Sequence, residues 1–347
     1  MKSALKYSKG EIDKAGDVLT GIVDKKISQN HAIEILENFR SIHVHPLIVF
    51  RMSMLRKSKM VSNDTLISQR LKRAPSIVNK LKIQKSMSLS QMQDIGGLRV
   101  VVSSLSEVYK LKDLLRAGEK QAAFKSTLIK EKDYIKEPKE SGYRSIHLIY
   151  KYEKNIPLEN QCRIEIQIRT KIHHAWATAV EVIGTYLRQP LKQSFGDKEL
   201  LELFKEISRA FILLEENSID IALFKRTSKK INELQLRDKL KGFSVVTQIT
   251  KDLDNKDERG KYFLISLNFN KKTLSVSRYT ESKLDQANAE YSVLERKYLN
   301  DKNTEVVLVS VDDINNLRKL YPNYFLDTQE FVKLLDIIDE KIEENEK

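Results

Sequence analysis

The segment Arg163-Ile164-Glu165-Ile166-Gln167-Ile168-Arg169 alternates polar and apolar residues. On a strand, that alternation turns Glu165, Gln167 and Arg169 to one face and buries the three isoleucines on the other. An acid, an amide and a guanidinium aimed the same way can coordinate a hard cation and clamp a phosphate. An ordinary half-solvated strand would read the same. In Asp94-Ile95-Gly96-Gly97-Leu98-Arg99 a carboxylate and a guanidinium bracket Gly-Gly at the mouth of a β-branched run. Glycine there lets backbone approach closely, though a plain turn before a strand needs the same residues. Asp133 through His147 reads DYIKEPKESGYRSIH, a cation-rich loop marked by Pro138 and Gly142. Tyr143 and His147 share strand parity and could both face a base and its phosphates, and a surface hairpin is the competing account. Arg70, Lys72, Arg73 and Lys80 put four cations into eleven residues, which suits a solvated helix face or a bound triphosphate.

The elements that must position these residues follow from pattern. Residues 9–42 read as helical, with Ile12, Ala15, Val18 and Leu19 on one face and Ile33, Ile35, Leu36 and Phe39 continuing. Pro46 marks a break, and Asn63 or Asp64 is placed to cap a helix over about 64–74. Pro75-Ser76 opens a further short helix. Residues 97–102 read as a buried strand, 106–115 as a helix, 143–151 and 162–169 as strands, and 171–187 as a helix. Residues 197–241 are strongly helical and charged. Beyond Gly242 the texture becomes hairpin (263–268 and 273–279), helix, strand and two terminal helices. The expected fold class is α+β. The expected divisions are a helical region 1–60, a catalytic domain 61–190, a charged helical segment 191–242 and a small α+β accessory module 243–347.

Composition narrows the function classes. Apolar content of 41% with 31% charged residues in 347 positions is globular. The net charge of +13 is uneven: residues 1–90 carry 17 Lys/Arg against 7 Asp/Glu, and residues 243–347 carry 16 against 20. A basic front favours a polyanionic ligand, and the change of sign argues for a boundary near Gly242. Cys162 is the only cysteine, which excludes an internal disulfide and a thiolate metal cluster and fits a reducing cytoplasm. No apolar run is long enough to cross a bilayer, and the first residues lack the h-region of a secretory signal.

Taken in order, the four segments resemble the RelA/SpoT synthetase domain of alarmone synthetases. Its R-x-K-…-S-I-x-x-K pattern falls on Arg70, Lys72, Ser76 and Lys80, and its D-x-x-G-x-R pattern on Asp94, Gly97 and Arg99. Its D-Y-I-x-x-P-K-x-x-G-Y-R-S-x-H loop falls on Asp133 through His147, and its E-x-Q-x-R-T strand and following histidine on Glu165, Gln167, Arg169, Thr170 and His174.

The resemblance implies a nucleotidyltransferase-like mixed sheet flanked by helices. It also implies transfer of pyrophosphate from ATP to a ribose 3′-hydroxyl, with Glu165, Asp94, Gln167 and Arg169 as the catalytic set. Arg70 and Arg99 would sandwich adenine, with Lys72, Ser76, Lys80 and Arg169 on the ATP phosphates. Lys139, Tyr143, Arg144 and His147 would receive the acceptor. Asp94 and Glu165 would hold Mg²⁺, and Glu165 would also accept the proton of the attacking hydroxyl. Such a transfer needs alignment and charge neutralisation, which explains a ring of cations and carboxylates without a nucleophilic Ser–His or Cys–His pair.

The acceptor stays open between GDP or GTP, giving ppGpp or pppGpp, and the 3′ end of tRNA, as in toxic small alarmone synthetases. A non-catalytic nucleotide-binding regulator is a lesser alternative. Ser141 stands where many synthetases have an asparagine that helps to read guanine. Lys225, Arg226, Lys229, Lys230, Arg237, Lys239 and Lys241 would suit an RNA backbone. No His-Asp hydrolase motif is present, and His31, His43, His45 and His173 read as structural or solvated, without zinc-ligand spacing. The 243–347 module is expected to regulate, neutralise or dimerise the catalytic half.

Overall fold

The computed structural model describes residues 4–118, 126–152, 162–187, 196–243, 248–250, 261–271, 273–298, 303–311, 314–325 and 327–346, with isolated positions between them. Three helices lead in: α1 (Lys9–Thr20), α2 (Gln29–Ser41) and α3 (Val44–Lys59). Ser8 and Glu11 form a reciprocal capping box at the start of α1, and Gly21 ends it in the left-handed region. Helices α1 and α2 close a satellite core with α4 (Ala74–Ile83), around Ile12, Ala15, Ile35, Ile77 and Leu81.

Residues Leu66–Leu71 form strand β1, where helix was expected over 64–74. Ile67, Gln69 and Leu71 also alternate with Ser68 and Arg70, so the short segment satisfies both periods. Pairing decides between them. Strand β2 (Gly96–Val102) lies antiparallel along the whole of β1, and a later strand meets its other edge at Gln69 and Arg70. Helix α5 (Leu105–Gly118) follows, then strand β3 (Ser126–Asp133), which the sequence pattern did not reveal. Strands β4 (Ile146–Tyr152) and β5 (Cys162–Thr170) complete the catalytic part of the sheet. β4 and β5 are antiparallel, whereas β2 and β5 run parallel, so this half is mixed. Its back face buries Leu98, Val100, Ile146, Leu148, Ile164, Ile166 and Ile168 against α3 and α5.

Thr170 ends β5 and caps α6 (Lys171–Tyr186), its hydroxyl accepting from the His173 amide at 3.3 Å. Three helices follow, α7 (Lys198–Glu215), α8 (Ile221–Glu233) and α9 (Leu236–Phe243), with Asp197 and Asp220 capping the first two. Strands β6 (Gln248–Thr250), β7 (Tyr262–Asn268) and β8 (Thr273–Tyr279), helix α10 (Leu284–Lys297), strand β9 (Thr304–Ser310), and helices α11 (Ile314–Leu320) and α12 (Gln329–Glu346) close the chain. The described strands form one sheet in the order β3-β4-β5-β2-β1-β9-β7-β8-β6. The accessory strands therefore extend the catalytic sheet through β9, which meets β1 only at Gln69–Ser310 and Arg70–Val309. Residues 244–247 and 251–260, next to the expected boundary at Gly242, lie outside the described residues. None of the described helices is long and apolar enough to cross a membrane.

Helix α12 returns to α6 and α7. Phe331, Leu335 and Ile338 enter the same core as Trp176, Phe204, Ile207 and Phe211 of α6 and α7. Phe331 is 1% exposed and meets Phe204 and Phe211 at ring separations of 6.2 and 5.4 Å. Phe331→Ala should therefore destabilise the protein by about 3–5 kcal/mol in equilibrium denaturation. A change below about 1 kcal/mol would mean that α12 is not part of this core.

Candidate active site

Sheet register carries most of the motif residues to one face. Residues paired across neighbouring strands point to the same side. One row runs Arg70–Gly97–Glu165, and the next runs Ser68–Arg99–Gln167–His147. Val101 and Arg169 stand in a third. Gly97 thus leaves the sheet without a side chain between Arg70 and Glu165, where a Cβ would otherwise stand.

Glu165 is the centre of a hydrogen-bonded chain. Its Oε1 lies 2.9 Å from His147 Nδ1, and its Oε2 accepts from Gln167 Nε2 at 2.7 Å. Tyr143 Oη sits 3.0 Å from the other His147 nitrogen. Burial works against a charge on Glu165, yet His147 and the Gln167 amide outweigh it and hold the carboxyl below its usual range. Asp94, in the loop before β2, receives two ammonium groups: Lys72 and Lys80 each donate to it at 2.9 Å. Burial again opposes ionisation, and the two lysines prevail, bringing the carboxyl down to about 2. Lys80 reaches Asp94 from α4, where Ser76 lies one turn earlier.

Arg169 is 2% exposed at the end of β5 and donates to His174 Nδ1, while His174 Nε2 donates to the Lys319 carbonyl at 2.9 Å. Burial, with the charge of Arg99 close by, lowers its guanidinium to about 9. A cation under that pressure gains from any anion brought beside it. Arg99 itself donates from Nη1 to the Leu320 carbonyl at 3.1 Å, and its guanidinium carbon lies 5.9 Å from the Tyr321 ring centre. Tyr321 in turn donates to the Gln69 carbonyl at 3.2 Å. The end of α11 and the turn Pro322–Phe325 therefore stand on the same sheet face as the motif residues.

The residues expected to receive the acceptor are arranged less openly than the sequence suggests. Tyr143 is 3% exposed, and the Lys139 ammonium lies 5.0 Å from its ring centre and 4.7 Å from that of Tyr134. Burial lowers the Lys139 pKa, and the Glu165 charge partly restores it. Arg144 turns away from the cluster, giving Nη1 to the Ile135 carbonyl at 2.7 Å and Nε to Ser208 at 3.2 Å. Sequence reasoning missed Tyr134, which meets the His147 ring at 5.1 Å although it sits inside the loop motif. It also missed Leu320, Tyr321 and Ser208, whose distance along the chain hides them.

Known proteins bear on this arrangement. A family model described as the region found in RelA / SpoT proteins matches residues 69–189. The GTP pyrophosphokinase YwaC of Bacillus subtilis is 32% identical over 158 residues, 44% of this chain and 70% of the relative. The GTP pyrophosphokinase YjbM of the same organism is 37% identical over 116 residues, so this chain spans about half (52%) of that relative and matches it over 32% of its own length. Among solved structures, the small alarmone synthetase 1 from Bacillus subtilis bound to its product pppGpp has 24% identity and a TM-score of 0.44. It covers 53% of this chain and 94% of its own. The fold is α+β, a mixed sheet with cations and carboxylates on one face, and the chain belongs to the RelA/SpoT family.

The charges supply a test in pH. Asp94 is depressed in the folded state, so its stabilising contribution is full above about pH 4 and is lost as pH falls towards 2. Unfolding free energies of wild type and Asp94→Asn should therefore differ most above about pH 4 and converge below it. A difference constant down to about pH 2 would refute the pairing with Lys72 and Lys80.

Proposed function

We propose that this chain transfers the β,γ-pyrophosphate of ATP to the 3′-hydroxyl of GDP or GTP, giving ppGpp or pppGpp. The observation that carries the reading is the shared face on which Arg70, Arg99, Glu165, Gln167, Arg169 and His147 stand, beside an Asp94 already clasped by Lys72 and Lys80. The acceptor 3′-oxygen attacks the β-phosphorus of ATP. The bond from that phosphorus to the oxygen bridging the α-phosphate breaks, and AMP leaves with the bridging oxygen. Glu165, ionised and buried, takes the hydroxyl proton. Arg70 and Arg99 flank the adenine, and Lys72, Lys80 and Arg169 meet the phosphates, with Ser76 at the start of α4 beside them. Lys139, Tyr143 and His147 receive the acceptor, and Lys139 leaves the tyrosine rings for the phosphates as the base arrives.

Asp94 and Glu165 offer the hard, ionised oxygens that Mg²⁺ takes alongside substrate phosphates. Bound there, the ion would neutralise polyphosphate charge.

Regulation by the accessory module belongs to the same reading. Leu320 and Tyr321 take up the Arg99 guanidinium that adenine needs, so ATP must displace them. Tyr321→Ala should lower the KM for ATP several-fold, roughly the worth of one stacking contact. An unchanged or raised KM in a variant that still folds would remove the module from control of the site.

The 3′ end of tRNA is the alternative acceptor, and the ion pairs on α8 and α9 weigh against the RNA contacts expected there. Arg237 pairs with Asp336 and Asp339, Arg226 and Lys230 with Glu206, Lys225 with Glu346, and Lys229 with Glu233. Phosphates would have to compete with these carboxylates. Labelled ATP incubated with GDP, GTP or deacylated tRNA separates the acceptors, and a non-catalytic regulator would label none of them. Glu165→Gln should lower turnover by about three orders of magnitude or more while its unfolding curve stays near wild type. Near-normal turnover in that variant would withdraw the catalytic role of Glu165.

A further inference from the structure

We propose that Ser208 of α7 is a positioning residue for the acceptor loop 139–144, so that a helix beyond the family-matched residues 69–189 completes the site. This rests on the transfer reading above. The Ser208 hydroxyl donates to the Gly142 carbonyl at 2.6 Å and accepts from Arg144 Nε at 3.2 Å. Arg144 uses its other arm on Ile135, so one serine ties Gly142 and Arg144 of the loop to α7. Gly142 has a φ of +88°, and a Cβ there would lie 3.0 Å from Ser208 Cβ, 3.1 Å from Lys205 Cα and 3.4 Å from Trp176. The loop backbone thus lies directly against the helix.

The consequence reaches the acceptor residues through short links. The turn is closed by Gly142 N–H to the Lys139 carbonyl at 2.8 Å and by Lys139 N–H to the Tyr143 carbonyl at 3.2 Å. A shift at Gly142 therefore moves Lys139 and Tyr143 together, and Tyr143 touches His147, the neighbour of Glu165. Helix α7 is itself a fixed platform: Leu203, Phe204, Ile207 and Phe211 are core residues, and Trp176 Nε1 donates to the Phe204 carbonyl at 2.8 Å. Ser208 is 4% exposed, so water is poorly placed to replace its hydroxyl. Its loss leaves a buried carbonyl and a guanidinium N–H without partners.

The test compares full-length wild type, Ser208→Ala and Ser208→Thr. Ser208→Ala should speed hydrogen exchange at the Lys139 and Gly142 amides and raise the KM for GDP or GTP on the order of tenfold, with the KM for ATP and kcat within about twofold. Ser208→Thr, which keeps the hydroxyl, should restore the acceptor KM. An unchanged acceptor KM, or equal losses towards ATP and acceptor, would overturn the positioning role. Wild-type protein that labels no acceptor would overturn the function reading alone. Loop exchange in Ser208→Ala would then still decide whether Ser208 anchors the loop.

Discussion

Cations crowd one partly desolvated sheet face, and Asp94 and Glu165 are the carboxylates that balance them. Taking such charges out of water costs several kcal/mol per ion unless each finds a partner. Lys72 and Lys80 find Asp94, and His147 and Gln167 find Glu165. Arg169 has a histidine nitrogen instead, and burial, with the charge of Arg99 beside it, pushes its guanidinium down to about 9. This imbalance suits the polyphosphate site proposed above. The arrangement stays folded because three isoleucines of β5 and the β-branched back of β2 bury the opposite face.

The accessory strands meet the same constraint from another direction. Joining β9 to β1 covers an open sheet edge. It also carries α11 and Tyr321 onto the cationic face, where a carbonyl dipole and an aromatic ring lie against Arg99 without adding an anion. Such contacts are of modest strength, so they can hold Arg99 without locking it away from the adenine proposed for it. Ion pairs fix the rest of the seam, Arg40 with Glu295, Arg73 with Glu305 and Arg296 with Glu37, and Arg40 also donates to the Tyr291 hydroxyl at 2.8 Å. Glu295 also accepts from the Ala74 amide at the start of α4, the helix that carries Lys80.

What the sequence reveals and what it hides follow from the range of the interactions. Strand parity in 163–169 puts Glu165, Gln167 and Arg169 on one face because alternation is local, and register across β2 and β4 brings Arg99 and His147 beside them. The capping role of Thr170 is equally local. The segment 64–74 misleads because six residues fit two periods, and pairing on both edges chooses between them. Arg144 reads as an acceptor contact from its motif, yet a serine 64 positions away claims its guanidinium. Tyr321 and Leu320 carry no motif at all; their place above Arg99 depends on β9 pairing with β1, a contact no window of sequence contains.

Strand β1 is where these levels meet. It carries Arg70 on the site face, leads directly into Lys72 and, among the described strands, is the one that pairs with both β2 and β9. Its bond to β2 runs through every residue, whereas its bond to β9 rests on Gln69 and Arg70 alone. A displacement of the accessory strands would therefore be felt first at Arg70, before it reached Glu165 two strands away. Close-packed layers transmit such shifts as discrete rearrangements more readily than as gradual bending. If Arg70 and Arg99 flank adenine as proposed, strands β6–β9 adjoin that side of the face through β1 and the Leu320 carbonyl, while the loop 139–144 lies against α7.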